Sequence, residues 1–308
     1  MENRNCLFCK ASLRTTFVDL GMHPLCESYV GGEKLDKMEP FYPLHVFVCD
    51  QCMLVQLHEY VSPADIFTEY AYFSSYADSW VQHAKLYTDM VISRLRLTPR
   101  SFVVELASND GYLLQHFVAK GIPVLGIEPA ANVAEVAKIK KIPTWVKFFG
   151  QGTAGELVAE RGKADLVLGN NVLAQVPDIN DFVAGIKILL ASHGTVTIEF
   201  PHLMRLMEEN QFDTIYHEHF FYFSLMSVER VFAAHGLTLF DVEELPTHGG
   251  SLRIYGCHEG DKAQPMTERY RELMRREKAA GFDRLETYAL FAEQVKETKR
   301  KLLEFLIE

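Results

Sequence analysis

No apolar run in this 308-residue chain approaches the roughly 20 residues that a membrane-spanning helix needs. The opening residues, Met1-Glu2-Asn3-Arg4-Asn5-Cys6, lack the apolar region of a signal peptide, so a cytoplasmic location is expected. Basic residues are also few. Lys and Arg number 31 against 41 Asp and Glu, a formal charge of −10. That argues against a general nucleic-acid binder, and an anionic substrate would have to be held by local groups working against the overall field. Six cysteines in a chain of this length do not make a disulfide scaffold; clustered cysteines in the cytosol more often bind metal. What remains, 48% hydrophobic and 23% charged, is the composition of an ordinary globular protein long enough for two or three domains.

Four of the cysteines form two knuckles, Cys6-Leu7-Phe8-Cys9 and Cys49-Asp50-Gln51-Cys52. Two such pairs complete a tetrahedral four-cysteine zinc site, and a closed sulfur shell leaves no position for water or substrate, so the site holds structure. The stretch between them carries Gly21, Pro24, Gly31, Gly32, Pro40 and Pro43, with a short strand near Phe41 to Val48. A small, loop-rich lobe of this kind needs a metal staple. The alternative is four unconnected buried cysteines; no thioredoxin-like strand and helix flank either pair, which disfavours a redox C-x-x-C. Cys26 and Cys257 fall outside the pattern and read as core residues.

From about residue 99 strands and helices alternate. Phe102–Ala107, Pro123–Glu128, Ala164–Asn170 and Gly194–Phe200 read as strands, with helical stretches at Ala130 to Lys141 and Ile179 to Leu190. Leu237–Val242 and Ser251–Gly256 look like two further strands around Pro246-Thr247-His248-Gly249-Gly250. The expectation is an α/β fold with a doubly wound parallel sheet. Ligands in such sheets bind beyond the carboxyl ends of the strands, where the turn Glu105-x-Ala107-x-Asn109-x-Gly111 lies. Gly111 permits a close backbone approach, and Glu128 ends the next strand, where a carboxylate can bind a ribose diol. The turn lacks the glycines of a G-x-G-x-x-G dinucleotide fingerprint. With Glu128-Pro129 and Asn170-Asn171 it favours a nucleoside cofactor without a pyrophosphate, a plain packing turn being the alternative.

The segment Tyr216-His217-Glu218-His219 packs a phenol, two imidazoles and a carboxylate together, directly before the aromatic run Phe220-Phe221-Tyr222-Phe223. Titratable groups among apolar rings are costly unless paired and often have shifted pKa values suited to proton transfer. His-x-His also places both imidazoles on one side of a strand, as a metal site would, but the cysteines are the better ligands.

Val103-Val-Glu-Leu-Ala-Ser-Asn-Asp-Gly-Tyr-Leu-Leu114 resembles the first motif of the S-adenosylmethionine-dependent sugar C-methyltransferases. So do Gly126-Ile-Glu-Pro-Ala-Ala131, Asn170-Asn-Val-Leu-Ala174, Tyr216 to His219 and His248-Gly-Gly-Ser-Leu-Arg253, and the two knuckles resemble that family's zinc lobe. The resemblance keeps motif order almost from end to end. It implies a Rossmann-like class I methyltransferase sheet and methylation of a carbon, typically C-3, beside the ketone of a nucleotide-linked 4-keto deoxysugar. By resemblance His219 is the base, with Glu218 and Tyr216 orienting it or binding substrate, and Tyr70 lies close to the sugar. His217 reads as a structural neighbour, and Tyr70 and Tyr72 have the alternative of being core aromatics. The cofactor's methionine moiety would lie over Ala107, Ser108, Asn109 and Gly111, its ribose on Glu128 beside Pro129. Its adenine would border Phe149 and Gly150, and its carboxylate end Asn170 and Asn171. His248, Gly249, Gly250 and Ser251 would offer backbone donors at the substrate mouth.

Two departures qualify the resemblance. Family members often carry a histidine after the Asn-Asn pair, where this chain has Gln175; an amide can hold a substrate oxygen but cannot titrate. From about Met266 the chain reads as helices, with Leu285, Tyr288, Ala292, Val295, Leu302, Leu303 and Leu306 in one apolar stripe. The family's C-terminal α/β domain is therefore expected to be absent, and the stripe offers a self-association surface. The expected organisation is a zinc lobe at 1–65, a helical connector at 66–98, the methyltransferase domain at 99–260 and C-terminal helices at 261–308. The competing functions are O- or N-methylation of another small molecule, or cofactor binding without catalysis for want of the closing domain.

Overall fold

Two cysteine knuckles bracket the first two strands, and a third strand follows the second knuckle. β1 (Thr15–His23), β2 (Tyr42–Val48) and β3 (Val55–Leu57) form an antiparallel meander. The structure is a computed structural model describing residues 4–26, 28–58, 61–62 and 70–308. The domain boundary expected at 65/66 lies outside the described residues. A long helix, α1 (Asp78–Leu95), leads into the second layer and ends at Arg96, whose left-handed backbone turns the chain.

The alternation read from the sequence then builds one sheet. Its parallel strands are β4 (Val103–Leu106), β5 (Val124–Ile127), β6 (Thr144–Trp145), β7 (Ala164–Asn170) and β8 (Leu190–Pro201). Between them run α2 (Leu114–Val118), α3 (Ala131–Ile139), α4 (Gln151–Arg161) and α5 (Ile179–Leu189), whose apolar faces cover the sheet. After β8 come α6 (Leu203–Glu208), β9 (Phe221–Tyr222) and α7 (Leu225–Ala234). The hairpin β10 (Leu237–Leu245) and β11 (Ser251–His258) completes the sheet. Its order is β10-β11-β8-β7-β4-β5-β6, with β11 antiparallel to β8. Chain order reverses at β4, which has β5 on one side and β7 on the other. The crevice beyond that switch point is where such sheets take ligands.

Two long-range contacts make the N-terminal lobe part of this body. β9 is the fourth strand of the lobe's sheet, pairing Tyr222 with Val55 and Phe221 with Gln56. The lobe is thus finished by residues that directly follow Tyr216 to His219. The C-terminal helices α8 (Glu268–Ala279) and α9 (Leu285–Ile307) return to it as well. Phe17 on β1 stacks on Phe291 at 4.8 Å and meets Tyr288 edge-on at 6.3 Å. The apolar stripe accordingly divides: Tyr288 and Val295 are buried on the lobe, whereas Leu302, Leu303 and Leu306 are exposed. No helix among the described residues is long and apolar enough to cross a membrane.

A buried carboxylate ties α8 to α7. Glu277, fully buried, accepts from His202 Nε2 at 2.8 Å, Leu225 N at 2.6 Å and Met226 N at 2.8 Å. It thereby satisfies the first backbone donors of α7, which also carries a Ser224/Ser227 capping box. Glu277→Ala strands an imidazole and two amides in the core. The expected loss is about 3–5 kcal/mol, read as the shift in urea-unfolding free energy against wild type.

Candidate active site and metal centre

The four knuckle thiols converge. Cys6 Sγ lies 3.7 Å from Cys52 Sγ and Cys9 Sγ lies 3.5 Å from Cys49 Sγ, with all four within 4.8 Å of one another. These separations are far too long for disulfides. They fit the edges of a tetrahedron around zinc, about 3.8 Å for Zn–S bonds of about 2.3 Å. Gln56, fully buried on β3, donates its Nε2 to Cys6 Sγ at 3.1 Å, an outer-shell contact that suits a thiolate. Four cysteine sulfurs converging on one point, three of them buried, are the ligand set of a structural zinc. This is a zinc site with four cysteine ligands.

At the carboxyl ends of β4, β5 and β7 opens a cavity of about 450 Å³, a size that suits a small cofactor. Ala107, Asn109, Glu128, Pro129, Phe149, Asn170, Asn171, Gln175 and Tyr70 all line it. Ser108, Gly111 and Gly150 stand behind the wall: the Ser108 side chain is packed against Gly126, and Gly150 against Asp181. The turn after β4 is tightly wound. Ala107, Asn109 and Gly111 have φ of 54°, 48° and 75°; for Ala107 this is a strained backbone of the kind found at ligand sites. Gly111 owes its place to that φ and to Ile142, which a side chain there would strike.

Glu128 accepts from Asn109 N at 2.8 Å and Ala130 N at 2.9 Å, keeping a lone pair on each oxygen for a ligand diol. Burial pushes its carboxyl up to about 7 against those two donors. Glu105 was read only as the start of the turn, and the structure makes it more. It is completely buried, neither carboxyl oxygen has a hydrogen-bond partner among the described residues, and burial lifts its pKa well above the carboxylate range. So buried, and outside the cavity lining, it is held as the neutral acid. S-adenosylmethionine needs an acceptor for its ribose diol and an apolar wall for its adenine, and Glu128 with Phe149 in the lining fits it.

Two asparagines strap the connector over the cavity. Asn109 Oδ1 accepts from Ser74 N at 2.9 Å and its Nδ2 donates to the Tyr72 carbonyl at 3.1 Å. Asn132 exchanges two bonds with the Tyr70 backbone, at 3.1 and 2.7 Å. Tyr70 Oη, so placed, donates to Glu218 Oε2 at 3.3 Å, and the Cys26 thiol donates to Glu218 Oε1 at 3.2 Å. Cys26 is therefore a polar contact of the site rather than a core filler.

Tyr216 to His219 lie beside the cavity, not in its wall, joined to it by Tyr70 and by Phe220 N donating to the Ala174 carbonyl at 2.7 Å. The segment is a turn closed by His219 N on the Tyr216 carbonyl at 3.0 Å, not an extended strand. The two imidazoles part for that reason. His217 faces the Tyr42 ring at 6.1 Å, while His219 packs on Tyr216 at 4.1 Å. His219 Nδ1 is 3.3 Å from the Thr214 carbonyl, which assigns its proton to Nδ1 and leaves Nε2 an acceptor.

Burial lowers the His219 pKa from 6.5 to about 4, the Thr214 carbonyl opposing. Between those values the unfolded chain takes a proton that the folded chain refuses. The stability carried by neutral His219 is complete above pH 6.5 and is lost as pH falls toward about 4, on the order of 3 kcal/mol in all. Urea unfolding at several pH values should show that slope in wild type and its reduction in His219→Asn.

On the other flank Trp80, His83 and Glu199, which belong to no motif, gather round His248 and Arg253 of the hairpin segment. Trp80 lines the cavity; His83 stacks on it at 4.9 Å and His248 meets it edge-on at 5.1 Å. Buried Glu199 accepts from His83 at 2.9 Å, Arg253 at 2.7 Å and Thr247 at 3.0 Å. Against its burial, His83 and Arg253 hold its carboxyl below the usual range. His248, Gly249, Gly250 and Ser251 form the turn of the β10–β11 hairpin. Gly250 N donates within the turn to Thr247, and Ser251 Oγ to the same carbonyl, so these donors already have partners.

Residues 6–67 match the family description "Putative zinc binding domain", 81–242 "Methyltransferase domain" and 246–308 "C-methyltransferase C-terminal domain". The chain is 38% identical over 240 residues to the C-methyltransferase NovU of Streptomyces niveus, covering 78% of this chain and 57% of that protein. It is 27% identical over 97 residues to a ubiquinone biosynthesis O-methyltransferase of Bartonella quintana (strain Toulouse), 31% of this chain and 39% of that one. The chain thus spans about half the length of these relatives. Among solved structures, the PH0226 protein of Pyrococcus horikoshii OT3 shares the fold, with a TM-score of 0.51 at 14% identity over 66% of this chain and all of that one. The match over 246–308 overturns the expectation that the C-terminal domain is absent. That segment holds β11 as well as α8 and α9, and its later part is helical, so it carries no strand–helix alternation to mark it as a domain.

Proposed function

The chain belongs to the methyltransferase family whose domain it matches over residues 81–242, and from its motif resemblance and its relation to a C-methyltransferase we propose that it methylates a carbon next to the ketone of a nucleotide-linked 4-keto deoxysugar. S-adenosylmethionine supplies an electrophilic methyl group when bound. A carbon beside a ketone becomes nucleophilic only on losing a proton, which needs a base within reach and a donor for the enolate oxygen. His219 is that base: burial keeps it neutral, and its Nδ1 bond to Thr214 aims the acceptor nitrogen elsewhere. Tyr216 braces its ring, and Glu218 orients the Tyr70 hydroxyl at the cavity wall. Gln175, in the same wall, holds a substrate oxygen without titrating. Glu128 takes the cofactor's ribose.

The observation that carries this reading is a buried, neutral imidazole beside a cavity whose wall holds Glu128 at the end of β5, where a ribose diol would bind. The relation to NovU, named a C-methyltransferase, supports carbon over oxygen as the acceptor. The test is incubation with S-adenosylmethionine and thymidine-diphospho-4-keto-6-deoxyglucose, followed by mass spectrometry and NMR of the sugar. One added methyl on a carbon adjacent to the ketone is expected; a methyl on oxygen or nitrogen, or no transfer, would sink the proposal.

A further inference from the structure

The metal knuckle and the cavity are joined by a residue that neither role requires. Asn180 sits in the first turn of α5, between Asp178 and Asp181, both of which line the cavity. Its Nδ2 donates to the carbonyls of Leu7 at 3.2 Å and Phe8 at 3.0 Å, the two residues between ligands Cys6 and Cys9. Its Oδ1 accepts from His235 Nε2 at 2.9 Å, which fixes the amide's orientation. From the opposite side, Leu7 N donates to Gln56 Oε1 at 2.7 Å, and Gln56 Nε2 to Cys6 Sγ. The short peptide between the first two ligands is therefore gripped at its N–H by the lobe and at its carbonyls by a cavity helix.

A C-x-x-C turn keeps its shape because the metal pulls both sulfurs to one point. Released from the metal, the turn no longer presents two carbonyls in register to one amide. Asn180 passes that change directly to its neighbours. Asp181 holds Gln151 N at 3.2 Å and Gln151 Nε2 at 3.0 Å, and Phe182 meets Phe149 edge-on at 5.3 Å. These residues form the end of the cavity assigned to adenine.

We propose that Asn180 is a positioning residue that couples zinc occupancy of the first knuckle to ligand affinity in the cavity. The coupling rests on the reading of that cavity as the S-adenosylmethionine site. Linkage makes it reciprocal: whatever factor zinc contributes to cofactor affinity, the cofactor contributes to zinc affinity. Asn180→Asp is the informative replacement. It keeps the size and the acceptor for His235, but sets a carboxylate oxygen against two carbonyl oxygens.

The experiment measures zinc affinity of the full chain by competition with a chelator of known affinity, with and without saturating S-adenosylhomocysteine, whose binding is followed separately by calorimetry. Wild-type zinc affinity should rise by about 5-fold or more on ligand binding. In Asn180→Asp and Asn180→Ala both ligands should still bind, with zinc affinity the same in the two conditions. A wild-type zinc affinity indifferent to bound S-adenosylhomocysteine overturns the coupling, and that arm needs no variant to fold. Undiminished coupling in the variants overturns the role of Asn180. Failure of S-adenosylhomocysteine to bind wild type would refute the cofactor reading, and the coupling with it.

Discussion

His219→Asn is expected to lower turnover by about 10²–10⁴-fold while leaving S-adenosylhomocysteine affinity nearly intact. The substitution is mild in every respect but one. Asparagine is close in size, and its amide can donate to the Thr214 carbonyl as Nδ1 does now. What disappears is the acceptor nitrogen, and with it the group that takes a proton from carbon. A base acts in the transition state, so kcat and kcat/KM should fall together. Since burial holds this imidazole at about 4, it stays unprotonated through the neutral range. The acid limb of wild-type turnover should lie well below the ordinary histidine range. Steady-state rates and calorimetry on the same preparations check both halves of the expectation.

The second large effect is loss of the metal. Cys49→Ser breaks a closed sulfur shell, and structural zinc in small domains contributes on the order of 10 kcal/mol. The consequence reaches beyond the lobe. β3 pairs with β9, Leu57 N donates to Phe220 at 2.8 Å, and Phe220 N donates to Ala174. A lobe that loosens releases the strand directly after Tyr216 to His219. The variant should lack zinc by metal analysis and lose soluble yield, and any soluble fraction should show faster amide exchange across both residues 42–57 and 216–223. Protection retained in the second stretch would show that β9 holds its place without the metal lobe.

Much of this was legible in the chain because it is written locally. C-x-x-C spacing announces a metal knuckle, strand and helix periods announce the sheet, and Glu128 ends its strand where expected. The missing parts depend on which elements become neighbours. A two-residue strand such as β9 has no periodic signal, so its place in the lobe's sheet was invisible. The His-x-His spacing at Tyr216 to His219 would put both imidazoles on one side of a strand, but a turn forms there and separates them. Cys26 read as core because its partner, Glu218, is remote in sequence. Asn180, His83 and Glu199 belong to no motif; only packing brings the first to the zinc knuckle, His83 to Trp80 and Glu199 to His83. Glu105 was visible as a residue, but its orphaned state is a property of the folded surroundings. The C-terminal segment was misjudged for a related reason, since helical periodicity says nothing about which domain a helix belongs to.

The central claim is that a proton leaves carbon before a methyl group arrives. It is tested most directly by incubating zinc-loaded protein, S-adenosylhomocysteine and the 4-keto sugar in heavy water, and following by NMR the hydrogen on the carbon beside the ketone. The account predicts exchange well above the uncatalysed rate in wild type and none above it in His219→Asn. Exchange at the uncatalysed rate in wild type that nonetheless methylates the sugar would contradict it.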